Sequence, residues 1–572
     1  MPPGPVPGPA PRPASEPAPD GRSSWRGRGA AVVLATGVVL GGVLVLLWPV
    51  LAAPVNADDR YWYLQAGPRS GGTWYGLLVY GWQELPTAAA SGRLAPLSSA
   101  SRRLAQLAVM EVGVATGTPV VVLQGVVKLL TLGLVVSVLV AFLAALRSRG
   151  PDGSLHALPR RHLAWVALAG TALAAAGSQA QAQFRNGWTS YAVLTWGSLV
   201  VVVGVLALLL VLLRLVAARP RAATVPVVVL LVLVAAFLNL SYELVLVTAP
   251  AALLVVLLQP VGAPGGRRAA LRARAVVGGS FLGAFTVLFV GIRVWLSGLC
   301  EGAACYAGTQ PQLGAAAVRT MLLNLVGAAP VGRAGELELD LERAGLPTAV
   351  PGAAAWSVLL GLAVGAGLLV AWWAWVVRPA GGAAGTRPGP GGEPVPGRVH
   401  ARTLVVGATV LAVVGVGEAV LMGLSVQAAE LIGSLGRPYR HTMITWTTAS
   451  FALALLAVAC LVLLGPRRAR GAGSVGAVVV AVAVAVLAAA VTPANVAATR
   501  ATRLQGSVLA TEQVHTEVVL GDVGATADAR RCEVLGRLLD GGGDRAAVAT
   551  AEWADRSFRY YHDRPFCTAG PP

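Results

Sequence analysis

Apolar residues along this chain do not alternate; they run. Segments such as "AAVVLATGVVLGGVLVLLWPVLA" (30–52) and "SLVVVVGVLALLLVLLRLVAA" (198–218) carry almost no charge. Each is long enough, at about 20 residues, for a helix to cross a hydrocarbon layer roughly 30 Å thick. Eleven such spans are predicted, at 30–52, 117–146, 162–180, 191–217, 223–240, 244–262, 275–297, 353–377, 403–424, 443–464 and 474–492. The alternating segments of about ten residues that a membrane β-barrel needs are missing. The expected fold is an all-α polytopic membrane protein with about 11 transmembrane helices.

Between the spans the pattern changes. The stretch 53–116 holds "TWYGLLVYGWQEL" and "SSASRRLAQLAVMEVG", whose apolar and aromatic positions recur at helical spacing. Trp and Tyr of this kind settle at headgroup depth, so interfacial helices are expected in this first outside loop. The tail 493–572 reads as a small exterior domain, with "DARRCEVLGRLLD" and "AAVATAEWADRSFRYYHDRPFC" as its helices. Residues 1–29 are Pro-rich and predict a disordered cytoplasmic tail, and 30–52 reads as a retained signal anchor. Gly and Pro mark 379–402 as a flexible cytoplasmic linker between a main membrane domain, 30–378, and a three-span segment, 403–492.

Composition supports this picture. The 572 residues are 56% hydrophobic and only 12% charged, which excludes an ordinary soluble globular protein. The net charge of +18 comes almost wholly from arginine, since Lys128 is the only lysine. The arginines are scattered through short loops, as topology requires, so no nucleic-acid partner is expected. Read alternately, the loops after spans two, four, six, eight and ten are arginine-rich and poor in acids. They belong in the cytoplasm by the positive-inside rule, which places the N-terminus inside and the C-terminus outside. Cysteines agree: Cys300 and Cys305 share one outside loop, and Cys532 and Cys567 share the outside tail, where disulfides persist. Cys460 falls within a span and is read as a small core residue. Arginine-rich, lysine-poor usage also suggests a GC-rich bacterial genome and hence a bacterial cell membrane.

Candidate chemistry collects on the outside. "PVNADDRYWYLQAG" sets Asp58 and Asp59 beside Arg60 and Tyr61, immediately beyond span one. The pair has two readings, a polar cap for an interfacial helix or a general base. Arg185 stands at the mouth of spans three and four, Tyr242 and Glu243 at that of spans five and six, and Arg437, Arg440 and His441 just before span ten. A carboxylate removing a proton from an attacking hydroxyl, with arginines where a phosphate leaves, suits sugar transfer from a lipid carrier. Inside the spans, Lys128 and Glu418 are ionisable and would be expected to face the bundle interior, with a salt bridge between them open. No GxGxxG, Walker A, HExxH or GxSxG motif occurs in a credible context.

The many spans and the acid pair of "ADDRYW" in the first outside loop resemble the GT-C superfamily of integral-membrane glycosyltransferases. The resemblance implies a polyprenyl-phosphate-linked sugar donor, an envelope glycan, lipid or protein acceptor, and Asp58 and Asp59 as the catalytic residues, Asp58 first. In some branches such acids hold a divalent metal, so the cofactor stays open, with Mg or Mn at Asp58 and Asp59 as the candidate. Arg60, Tyr61, Arg185, Tyr242, Glu243, Arg437, Arg440 and His441 are substrate-binding candidates by position alone. The competing readings are a transporter or flippase coupled through Lys128 and Glu418, and a non-enzymatic scaffold for envelope assembly. The absence of an internal repeat and the odd number of spans weigh against an inverted-repeat transporter.

Overall fold

The computed structural model describes residues 22–55, 59–149, 154–179, 192–262, 266–300, 305–308, 310–330, 352–377, 396–431, 442–468, 472–504, 506–540 and 545–568. Helix α1 (Arg22–Leu51) leads into three helices of the first loop, α2 (Asp59–Ser70), α3 (Trp74–Ala90) and α4 (Pro96–Thr116). Next come α5 (Val120–Ala145), a short hairpin of β1 (Arg147–Arg149) and β2 (Leu155–Ala157), and α6 (Arg160–Ala176). They are followed by α7 (Ala192–Ala218) and α8 (Pro220–Asn239), then by a 3-10 turn, Glu243–Val247, that runs into α9 (Thr248–Leu258). α10 (Gly266–Leu299), α11 (Ala315–Gly327) and α12 (Ala353–Trp372, with a π-helical end to Val377) continue the bundle. The chain closes with α13 (Pro396–Gly423), α14 (Val426–Leu431), α15 (Thr442–Arg468), α16 (Ala472–Leu504), α17 (Gly506–Leu520), α18 (Ala525–Asp540) and α19 (Arg545–His562).

Among the described residues, nine helices are long and apolar enough to cross a membrane: α1, α5, α7, α8, α10, α12, α13, α15 and α16. The expected spans at 162–180 and 244–262 correspond to shorter elements. α6 has 17 residues, and the 3-10 turn plus α9 cover Glu243–Leu258. The protein is therefore a multi-pass helical membrane protein with nine full-length spans described and two shorter segments packed among them.

One large core binds α1, α5 to α10, α12, α13, α15 and α16 together, so the helices after the linker region share it with those before. Lipid tails are as apolar as leucine, so close van der Waals packing carries more of this association than transfer from water. The sequence supplies the means. Gly361 and Gly365, four apart on α12, face α16, where a Cβ on Gly361 would meet the Ala485 Cα at 2.9 Å and its carbonyl oxygen at 3.0 Å. Cys460 is exposed on α15 rather than buried, which corrects the reading of it as a core residue. Its face of the helix looks away from the bundle, where a small apolar thiol is tolerated.

The two sets of loops collect at opposite ends. α5, at 26 residues, separates them by about 39 Å. At one end, Tyr306 N–H donates to the Ser91 carbonyl, Leu97 N–H to Leu240, and Gln427 N–H to Ala307, tying the first loop to the loops after α8, α10 and α13. At the other, the hairpin meets α9 and α13: Arg147 N–H donates to Gln259 Oε1 at 3.2 Å and Thr403 Oγ1 to the Arg147 carbonyl at 3.1 Å. Apart from Glu418 inside α13, every described Asp and Glu sits in segments of the first end. Both expected cystine pairs are formed, Cys300–Cys305 and Cys532–Cys567.

A second core forms at that first end. Tyr63, Leu64, Val109, Met110 and Val120 from α2, α4 and α5 pack with Val514, Val518, Leu535, Trp553 and Phe558 from the C-terminal helices. The tail thus shares its core with the first loop instead of building one of its own.

Candidate active site in the first loop

α2 begins at Asp59, whose carboxylate lies in the first turn, where the helix dipole favours a negative charge. The side chain is only 4% exposed. Gln106, equally buried on α4, donates its amide to Asp59 Oδ1 at 3.0 Å. Arg60 is buried beside it, and the Arg60 carbonyl accepts a 2.7 Å hydrogen bond from His515 Nε2 on α17. Burial pushes the His515 ring down to about 4, against the opposing pull of that hydrogen bond. Burial and the Asp59 charge hold the Tyr63 phenol well above its usual range. Lys128 on α5 donates to the carbonyls of Val50 at 3.2 Å and Ala53 at 3.3 Å, near enough to Asp59 and Glu512 to feel both charges. Burial raises the Glu512 carboxyl above the ordinary range, opposed by Arg503 and Lys128.

A cavity of about 230 Å³ opens next to this cluster between α2, α3 and α4. Three arginines line it, Arg69, Arg102 and Arg103, with one carboxylate, Glu84, and the rings of Trp62 and Tyr80. Glu84 accepts Arg69 Nη1 at 3.3 Å and also binds Arg103 and the Tyr80 hydroxyl. The guanidinium of Arg102 stacks 3.5 Å from the centre of the Trp62 ring, and Arg103 lies 4.3 Å from that of Tyr80. Such stacking fixes each cation, whose N–H groups lie at the edges of the guanidinium plane. Gln106 both lines the cavity and donates to Asp59, so one side chain links the buried carboxylate to the cationic pocket. Outside the cavity, α3 exposes Trp74, Tyr75 and Trp82 at 67%, 64% and 75%, residue types that favour the headgroup zone of a bilayer.

The predicted site residues fare differently. Asp59, Arg60 and Tyr61 are together on α2. Tyr242 and Glu243 lie elsewhere: Glu243 faces Arg93 Nε at 3.6 Å, and Arg93 stacks on Tyr242 and Tyr306. They flank a separate cavity of only about 20 Å³, so they do not join Asp59 in one pocket. Asp58, Arg185, Arg437, Arg440 and His441 lie outside the described residues. Lys128 and Glu418 do not pair. Glu418 Oε2 accepts Thr445 at 2.7 Å and Asn324 at 3.4 Å, with α11 and α15 as its neighbours, whereas Lys128 turns to the end of α1.

Sequence reasoning passed over Glu84, Arg69, Arg102, Arg103 and His515. The signal for two of them was present, because "SRRL" puts adjacent arginines on a helix that is otherwise amphipathic. Of the two candidate metal ligands, Asp58 lies outside the described residues and Asp59 is described. Its carboxylate accepts an amide donor and feels Lys128, and among the described residues no three His, Cys, Asp or Glu side chains converge. Compared with known proteins, the chain matches no family, no curated protein and no solved structure.

Proposed function

We propose that this protein is a membrane glycosyltransferase of the GT-C type. It would move a sugar from a polyprenyl-phosphate carrier to an envelope glycan, lipid or protein acceptor on the outer face of a bacterial cell membrane. The observation that carries this reading is the juxtaposition, at the bilayer boundary, of an arginine-lined cavity with the buried Asp59 carboxylate through Gln106.

The chemistry balances with these groups. The acceptor hydroxyl attacks the anomeric carbon, the bond from that carbon to the phosphate oxygen breaks, and the lipid phosphate leaves with the electron pair. Arg69, Arg102 and Arg103 stand where that charge grows, and preorganised cations are worth most in such a partly desolvated place. The hydroxyl proton would pass to the acid pair; Asp59, its described member, meets the cavity through Gln106 and does not itself line it. Glu84 is a poor base here, because two arginines and Tyr80 already occupy its oxygens. Its part is to hold the guanidinium groups apart and in register. A volume of about 230 Å³ is below the roughly 300–1,000 Å³ of pockets for drug-sized ligands and suits a single sugar-phosphate headgroup. The orientation with this end outside rests on the opposite end's excess of arginine.

The test is the envelope glycan composition of a deletion strain complemented with wild type, Asp59→Asn or Arg102→Gln/Arg103→Gln. The expected outcome is loss of one glycosyl residue in the deletion and in both variants at equal protein level. An unchanged glycan profile in the deletion strain would end the proposal. Transport is the second reading, and one observation favours it: Glu418 is 1% exposed within α13 and its Oε1 has no partner among the described residues. Solute uptake abolished by Glu418→Gln and untouched by Asp59→Asn would select that reading.

A further inference from the structure

The opposite end of the molecule carries a larger cavity, of about 570 Å³, between the hairpin, α9, α10 and α13. Five arginines from three separate segments converge on it: Arg147 and Arg149 from β1, Arg267 and Arg274 from α10, and Arg402 from α13. Among the described residues no acid lines it, and none of the five pairs with a carboxylate. Topology alone requires arginines on this side of the membrane, but it does not require them to meet. On α10 the lining residues Arg267, Ala270, Leu271 and Arg274 follow the i, i+3, i+4, i+7 spacing of one helix face, so that face is turned to the cavity.

The rest of the wall is built for something besides an inorganic ion. Leu257 and Leu271 line the cavity and remain 55% and 52% exposed, giving it apolar flanks at the ends of membrane helices. Arg274 donates one Nη to the Gln259 carbonyl at 2.8 Å, while its buried Nε has no partner among the described residues. Among the described residues, several cations without carboxylate partners, an unused buried Nε and apolar sides at the ends of membrane helices describe the complement of a phosphate with a hydrocarbon tail.

We infer that this cavity is a binding site for one anionic phospholipid, its phosphate among the arginines and its acyl chains along Leu257 and Leu271. The site is independent of the transferase reading, being at the other end of the bundle.

The test uses the full chain purified in neutral detergent, with lipid binding followed by native mass spectrometry. Phosphatidylglycerol should bind as a discrete adduct in preference to phosphatidylcholine. Arg267→Gln/Arg402→Gln, two exposed side chains that line the cavity, should weaken that adduct by about 30-fold, taking the free energy per cation typical of a membrane surface. Arg268→Gln/Arg272→Gln removes the same charge from the same end of the bundle but from outside the cavity, and should leave the adduct unchanged. Equal weakening by the two double variants would mean diffuse charge attraction and overturn the site. Displacement of the lipid by inorganic phosphate at equal concentration would overturn the amphiphile, and equal binding of phosphatidylcholine would overturn the role of the arginines.

Discussion

His515 makes the attachment of the C-terminal helices to the first loop sensitive to acid. The ring is 1% exposed, donates through Nε2 to the Arg60 carbonyl at 2.7 Å, and meets Tyr63 edge-on at 6.1 Å between centres. In the unfolded chain it takes up a proton near pH 6.5; in the folded protein burial delays that to about 4. Between those values the unfolded form binds more protons, so stability rises with pH there. It is fully present above the unfolded value, is lost as pH falls from 6.5 towards 4, and changes no further below that. The shift corresponds to about 3 kcal/mol in all, and about 2 kcal/mol of it is gone by pH 5. Hydrogen exchange of the amides in α2 and α17, compared at pH 7.5 and pH 5 after correction for intrinsic rates, reads this opening locally. His515→Gln keeps an N–H donor for the Arg60 carbonyl and does not titrate, so about 2 kcal/mol of the pH difference should vanish in that variant. If His515→Gln loosens on acidification as much as wild type does, the ring is not the source and the reasoning fails.

Other expectations follow from the packing. Gly67→Ala places a methyl group against the Tyr561 ring, which is held in place by its 3.0 Å hydrogen bond to Glu111; separation of α2 from α19 should cost about 1–3 kcal/mol, seen as a lower Tm. Gly361→Leu drives a side chain into the Ala485 backbone and should weaken the α12–α16 contact by at least about 1–3 kcal/mol, measured as earlier thermal aggregation in detergent. Cys532→Ser opens a bridge that closes 35 residues, for an expected loss of about 3–4 kcal/mol confined to α18 and α19, readable as faster limited proteolysis of the tail.

How much of this was legible beforehand depends on which residues are asked. The spans could be read because a bilayer imposes a length and an apolar composition on any helix that crosses it, whatever its neighbours. The pairing of Cys300 with Cys305 and of Cys532 with Cys567 could be read because alternation already put each pair on one side. The same alternation predicted that the first loop, residues 239–243 and the tail would lie at one end, where the Leu97 hydrogen bond joins the first two and that of His515 joins the first loop to the tail. Asp59 could be named, since an acid beside a span is conspicuous.

Its surroundings could not. That Asp59 is buried, that Gln106 carries its contact to a cavity, and that Glu84 gathers Arg69 and Arg103 there depend on how α2, α3 and α4 cross one another. The separation of Lys128 from Glu418, and the role of His515 in clasping the Arg60 carbonyl across 455 positions of sequence, depend on which helices are neighbours. Two segments shorter than full spans, α6 and Glu243–Leu258, were likewise beyond reach, because their ends are set by what covers them. Sequence by itself determined what lipid demands of each segment in isolation, which is a one-body constraint on length and polarity. Only the tertiary structure decided which polar groups meet, because that is fixed by packing between helices far apart in the chain, and the apolar faces that do the packing look alike in a sequence made mostly of Ala, Val, Leu and Gly.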